Sequence, residues 1–307
     1  MDLSLPSLNL AFQSVKANHG CAGVDRVTIG KFERKLEGNL KSLQYELLEG
    51  IYSPLPLMKI FVEKKNGEAR GLSVPIVRDR VVQKAILQII EPILDKEFEV
   101  CSYAYRKGHS VKQAVMKIKE FHEHGYCWVV DADIDAYFDS VNHDLLMEKI
   151  DRFIRNKDIR NLLYLWIKAE VWDGHALQKL EKGIPQGSAV SPVLANLFLD
   201  ELDEVMLQKG YKYVRYADDY VILCKTPDEA STALELSKKI LAKLDLELDD
   251  EEIKSFEDGF KYLGVIFLND MIMKPFEEHK KKSKVLSYPA LFDLEGYLSS
   301  RNRKLVI

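Results

Sequence analysis

Tyr216-Ala217-Asp218-Asp219 lies between two largely apolar runs, Lys212-Tyr213-Val214-Arg215 and Tyr220-Val221-Ile222-Leu223. Two strand-like runs around a short polar break predict a β-hairpin with two carboxylates at its turn. Adjacent carboxylates repel. A hard divalent cation such as Mg²⁺, which takes oxygen ligands, would relieve that repulsion. Aspartate is also a common turn former, so the tetrapeptide by itself fits a solvated surface turn as well.

Two further stretches decide between these readings. Upstream, Val129-Val130-Asp131-Ala132-Asp133-Ile134-Asp135-Ala136-Tyr137-Phe138-Asp139 runs from an apolar strand start into a cluster of acids. A helix-like segment, His143-Asp144-Leu145-Leu146-Met147, follows it. Between the acidic sites, Gly183-Ile184-Pro185-Gln186-Gly187-Ser188-Ala189-Val190-Ser191-Pro192 is a Gly/Pro-rich turn opening an apolar helix from Val193 to Val205. In this order the three motifs resemble the palm of a reverse transcriptase of the group II intron type and its bacterial relatives. Arg70-Gly71-Leu72-Ser73-Val74-Pro75, Arg78-Asp79-Arg80-Val81-Val82-Gln83 and Ser102-Tyr103-Ala104-Tyr105-Arg106-Lys107-Gly108-His109-Ser110 resemble the fingers of that family. Phe260-Lys261-Tyr262-Leu263-Gly264 is similar to the hairpin that closes the palm, so the likeness covers roughly residues 20–270.

The resemblance implies an α+β right-hand polymerase with fingers, palm and a short or truncated thumb. Residues 1–125 would hold the fingers and the start of the palm, and 126–270 the palm, with a helical fingers segment inserted at about 145–182. Residues 271–307 would be a linker, a curtailed thumb or the start of a fused domain. The basic run Lys280-Lys281-Lys282-Ser283-Lys284 would then supply phosphate contacts. The stretch 295–306 resembles the opening hairpin of the integrase of CRISPR adaptation, to which some of these enzymes are fused. On that reading Lys304-Leu305-Val306-Ile307 is an unfinished strand and a fused or associated CRISPR integrase is a partner.

The same resemblance implies RNA-directed DNA synthesis on an RNA template from a DNA or RNA primer, with deoxynucleoside triphosphates as substrates. The setting would be a retroelement or a CRISPR spacer-acquisition system. Two Mg²⁺ ions, roughly 4 Å apart, would stabilise the attacking and leaving oxygens, with Mn²⁺ a possible substitute. Asp133, Asp218 and Asp219 are the catalytic candidates, and with Ile134 they make the metal set. Asp131 is read as a solvated or supporting acid, and Asp135 and Asp139 as exposed or capping. Phe138, five residues after Asp133, takes the place of the ring beneath the sugar that excludes a 2′-hydroxyl. Gln186 and Gly187 form the turn that touches nucleotide and template. Gly187 lets backbone approach without a Cβ clash. Lys64, Lys65 and Arg70 are candidates for the triphosphate clamp, where the arginine fork matches phosphate oxygens. Arg106 and Lys107 are assigned to template backbone and Lys254 to the primer terminus. Two other readings stay open: an RNA-dependent RNA polymerase, which Phe138 and Ala217 disfavour, and a non-catalytic RNA-binding scaffold, which the intact aspartates disfavour.

Composition bounds the rest. At 307 residues the chain can bury a substantial core. Its formal net charge of −4 argues against indiscriminate coating of nucleic acid but permits a local basic groove. Cys21, Cys101, Cys127 and Cys224 lack metal-knuckle spacing, so free thiols in a reducing cytoplasm are expected. No signal peptide is read at the start, and the apolar runs are too short to span a bilayer. Helices are expected over residues 31–48, 81–98 with a break or kink at Pro92, 111–122 and 227–246. Residues 59–64 and 71–74 are expected as strands joined through Asn66-Gly67.

Overall fold

The computed structural model describes residues 3–63, 69–274 and 285–304. Lys64, Lys65 and the basic run 280–284 lie outside the described residues. The palm sheet forms around two apolar runs, Val129-Val130 and Tyr220 to Leu223, that are covered on both faces. Its order is β6 (Lys212–Tyr216), β7 (Asp219–Cys224), β3 (Trp128–Ile134) and β8 (Leu248–Ser255), all antiparallel neighbours. Alternate residues point to opposite faces. Val130, Ala132, Tyr220 and Ile222 pack into the main core with helices α9 (Ser191–Gln208) and α10 (Pro227–Lys243). Val129, Val214, Val221 and Leu223 pack into a second core with Phe256, Phe260 and Phe267. Phe260 and Phe267 come from β9 (Phe260–Tyr262) and β10 (Val265–Leu268), which continues into β11 (Met271–Met273), and helix α5 (Val111–Glu123) adds Val115 and Ile118 to the same core.

The fingers begin with α1 (Leu5–Ala17), α2 (Ile29–Glu33) and α3 (Leu36–Leu48). Strands β1 (Leu57–Glu63) and β2 (Ala69–Val74) pair in register from Met58↔Val74 to Glu63↔Ala69. Helix α4 (Val77–Leu94) continues through Pro92. The helix is not broken there; the proline falls in the last turn, so the N–H it lacks and its clash with the carbonyl four residues earlier affect only the helix end. The segment between the acidic motifs supplies α6 (Tyr137–Ser140), α7 (His143–Phe153), α8 (Lys157–Ile167) and the hairpin β4 (Glu170–Trp172) and β5 (Leu177–Lys179). Asn142 and Asn156 start α7 and α8 by accepting bonds from the first free N–H groups. Strand β4 lies parallel to β1 at Leu57↔Val171, which ties this segment into the fingers sheet.

The tail returns to the fingers. Strand β12 (Val285–Ser287) pairs with β1 at Phe61↔Ser287. Trp172 donates from Nε1 to the Ala290 carbonyl at 2.9 Å, and Tyr297 donates to Glu170 at 2.7 Å. Residues 294–304 form helix α11 rather than the hairpin expected from the integrase likeness. The reason is local: the Asp293 carboxylate accepts from Gly296 N–H at 3.0 Å, which caps a helix start.

Candidate active site

The hairpin of β6 and β7 closes at Tyr216↔Asp219, leaving Ala217 and Asp218 as the two turn residues. Ala217 sits in the left-handed region at φ 64°. A non-glycine residue stays there only where its surroundings hold it. Here the holder is Arg215. Its Nη1 donates to the Ala217 carbonyl at 2.9 Å and to Asn196 Oδ1 at 3.1 Å, while Nε and Nη2 bind both oxygens of Asp203 at 2.7 and 2.5 Å. Arg215 and Asp203 are both fully buried. Burial opposes the guanidinium charge, but the Asp203 carboxylate outweighs it and the Arg215 pKa is raised.

On the neighbouring strand, the pairing Ala132↔Tyr220 places Asp133 one residue beyond Ala132 and Asp219 one residue before Tyr220. The two acids therefore stand beside each other at the same end of the sheet. Asp250 pairs with Asp133, and the β3–β8 register slips just beyond, leaving Asp249 as the extra residue before Ile134↔Leu248; the charges of both act on Asp133. The electrostatics are those of crowded anions. Burial, then the charges of Asp131, Asp133 and Asp218, pushes the Asp219 carboxyl up to about 8. Burial and then Asp218 raise Asp133 to about 6. Burial raises Asp218 as well, against the pull of its own N–H, Arg70 and Arg215. Asp131, half-buried, is pushed up to about 6 by burial, with Lys254 opposing.

These carboxylates suit a divalent ion, since each gains from a nearby positive charge. Among the described residues, no three His, Cys, Asp or Glu side chains are grouped so as to hold an ion alone. Mg²⁺ needs no such cluster, since it keeps waters and can be held by one or two carboxylates together with substrate phosphates. The Ile134 side chain is apolar and buried, so only its carbonyl oxygen qualifies as a ligand.

A cleft of about 570 Å³ joins palm to fingers at this point. Asp133, Ile134, Asp218, Phe138, Gln186 and Arg70 all line it. Asp219 and Gly187 do not line it. Arg70 donates from Nε to Gln186 Oε1 at 2.7 Å, a bond between fingers and palm. Phe138 is buried, with its carbonyl held by Ile184 N–H at 2.6 Å. Lys59, Lys182 and Asp249 also line the cleft and are not marked by any motif in the sequence.

Three assignments change. Gly187 makes its close approach to the fingers strand, not to an open nucleotide face. A Cβ there would stand 2.5 Å from the Ser73 carbonyl oxygen, at φ 127°, and the adjacent Gln186 carbonyl accepts from Ser73 N–H at 2.7 Å. Gly187→Ala should therefore push β2 away from the turn. We expect a loss of about 1–3 kcal/mol in thermal or denaturant unfolding, the range for a strained backbone site. Arg106, assigned to template backbone, is instead spent inside the fold. Its guanidinium donates to Asp95 Oδ1 and to the carbonyls of Asp95, Phe98, Glu99 and Ser102, at 2.7–3.3 Å. These are carbonyls at and beyond the end of α4, where the helix leaves its last C=O groups without intrahelical partners; that of Glu99 also accepts from Ser102 N–H at 3.2 Å. Lys254 pairs with Glu252 on its own strand and faces Asp131, so its charge is directed at carboxylates. Lys107 remains exposed, in an ion pair with Glu91 at 2.7 Å.

The family model described as "Reverse transcriptase (RNA-dependent DNA polymerase)" matches residues 62–267. The chain belongs to the reverse transcriptase family. It is by that membership an RNA-directed DNA polymerase, a nucleotidyltransferase. Protein YkfC of Escherichia coli K12 is 33% identical over 283 residues, covering 79% of this chain and 74% of YkfC. The group II intron-encoded protein LtrA of Lactococcus lactis subsp. cremoris is 32% identical over 217 residues, 69% of this chain but 35% of LtrA. Among solved structures, telomerase from Candida albicans superposes with a TM-score of 0.58 at 14% identity, over 72% of this chain and 47% of that one, a likeness of fold. All four cysteines are free, and among the described residues no helix is long and apolar enough to cross a membrane.

Proposed function

We propose that the chain extends a primer 3′-hydroxyl with deoxynucleotides along an RNA template, using a two-metal mechanism. The observation that carries this reading is the meeting, around one cleft, of Asp133 and Asp218 from the palm with Arg70 from the fingers and with Phe138 and Gln186 between them. Asp133, Asp218 and the Ile134 carbonyl would hold Mg²⁺, with Asp219 beside them. The ions would lower the pKa of the primer hydroxyl and neutralise charge on the α-phosphate and leaving pyrophosphate. The protein groups do the remaining work. Arg70, exposed at the fingers edge, offers its fork to phosphate oxygens while its bond to Gln186 fixes its position. Phe138, a largely buried part of the cleft wall, limits the room beneath the sugar. RNA–DNA duplexes of A-form character would be gripped through backbone and 2′-hydroxyls, with little sequence preference.

Primer extension on a defined RNA template tests the reading. The ratio of kcat/KM for a deoxynucleotide over its ribonucleotide is compared between the wild-type chain and Phe138→Ala. Removing the ring should lower that ratio by about tenfold or more, the scale of one lost steric contact in a binding pocket. A wild-type chain that uses both nucleotides equally well would favour the RNA polymerase reading instead.

A further inference from the structure

Tyr105 has a combination of properties that its position in a surface loop does not require. Its backbone is left-handed, at φ 60°, a conformation that is uncommon for a bulky residue and needs to be imposed from outside. The imposing contacts flank it. On one side Asn196 Nδ2 donates to the Ala104 carbonyl at 2.8 Å, and Tyr103 N–H donates to the Arg215 carbonyl at 3.0 Å. On the other side the Arg106 guanidinium makes its bonds to the end of α4. Both neighbours are thus fastened to the palm and to the fingers, yet the Tyr105 ring between them is 48% exposed. Its hydroxyl makes no hydrogen bond among the described residues.

The ring does have one specific neighbour. It meets Phe138 edge-on, with centroids 6.5 Å apart and planes at 86°. Phe138 is met on another side by Tyr137, at 5.6 Å and 69°. Tyr137 is fixed by its hydroxyl, which donates to the Ala195 carbonyl at 2.5 Å. The cleft-lining phenylalanine is therefore held between two tyrosines, one locked in the core and one kept in place by a strained backbone. Tyr105 also lies close to the reacting end of the cleft. After burial, the largest charges that act on its phenol are those of Asp218 and Arg70, followed by Tyr216.

We propose that Tyr105 is a positioning residue for sugar selection, bracing Phe138 so that the ring cannot move aside to admit a 2′-hydroxyl. This rests on the reading of Phe138 as the sugar-excluding ring. Edge-to-face contact between the two rings favours one orientation of Phe138 over a swung-out one. Without the Tyr105 ring, the space beside Phe138 opens and the wall becomes compliant, although every group that touches the nucleotide is still present.

The test uses Tyr105→Gly and Tyr105→Phe beside Phe138→Ala, each in single-nucleotide extension with deoxy and ribo substrates. Glycine adopts φ 60° without cost, so Tyr105→Gly removes the ring while relieving the backbone, and failure to fold is not the expected outcome. Tyr105→Gly should lower deoxy-over-ribo discrimination by about tenfold, through a lower KM for the ribonucleotide, with deoxynucleotide kcat within about threefold of wild type. Tyr105→Phe, which keeps the ring, should keep wild-type discrimination. The double variant Phe138→Ala with Tyr105→Gly should discriminate no worse than Phe138→Ala alone, because the brace acts through the ring it supports. Unchanged discrimination in Tyr105→Gly, with Phe138→Ala clearly relaxed, overturns this inference and leaves the sugar-excluding role of Phe138 intact. Unchanged discrimination in Phe138→Ala overturns both.

Discussion

Asp218→Ala should reduce nucleotide incorporation by about a hundredfold or more, which corresponds to about 3 kcal/mol of lost transition-state stabilisation. The fold should survive. The carboxylate sits in a turn whose geometry is set by Arg215 holding the Ala217 carbonyl, not by any bond to Asp218 from another side chain. Removing one of several crowded anions should leave the metal-free chain as stable as wild type or more so, since burial raises the pKa of Asp218, and burial together with neighbouring carboxylates raises those of Asp133 and Asp219. Asp133→Ala should behave alike. Asp219→Asn should be milder, because Asp219 lies on the strand behind the turn and does not line the cleft. Extension rates and melting curves of the three variants decide the matter. Unaltered extension by Asp218→Ala would sink the polymerase mechanism proposed above.

Much of this site is legible in the sequence because its chemistry is local. Apolar runs such as Tyr220 to Leu223 can only be strands covered on both faces, and a two-residue turn between them must present Asp218. Asp133 follows from the same logic one strand away. What the sequence does not reveal are contacts between distant segments. Arg106 reads as a template-backbone cation in a Gly-containing loop, but it lies beside the carbonyls at the end of α4 and donates to them. Gly187 reads as part of a turn touching nucleotide and template, where glycine allows a close approach; the close approach in the fold is to Ser73, more than a hundred residues earlier. Asp249 reaches the cleft only because the β3–β8 register slips at Asp133, and no periodicity marks such a slip. The tail is the furthest from its sequence reading. Its helix starts at the Asp293 carboxylate, in place of the expected hairpin, and its return to the fingers through Trp172 and Glu170 depends on residues that carry no motif.

Arg215 separates what holds the turn from what does the chemistry. Arg215→Met should cost about 3–5 kcal/mol, because it leaves the Asp203 carboxylate buried and unpaired. Its melting temperature should fall steeply and little active protein should remain. The double variant Arg215→Met with Asp203→Leu removes the stranded charge as well. Buried ion pairs are often replaceable by apolar side chains of similar volume with little net loss, so most of the lost stability should return. Activity should not return with it. Neither methionine nor leucine can donate to the Ala217 carbonyl, and that bond is what keeps Ala217 at φ 64° and Asp218 aimed at Asp133. Asn196, which shares the same guanidinium nitrogen and also ties down Ala104, would lose one partner in both variants. The expected signature is therefore a refolded chain, native by melting curve, whose kcat stays at least about tenfold below wild type, an order set by roughly 1.4 kcal/mol of misplacement. Recovery of activity in step with stability would show that the palm hairpin fixes Asp218 by its strand pairing alone and that Arg215 serves the core, not the catalytic turn.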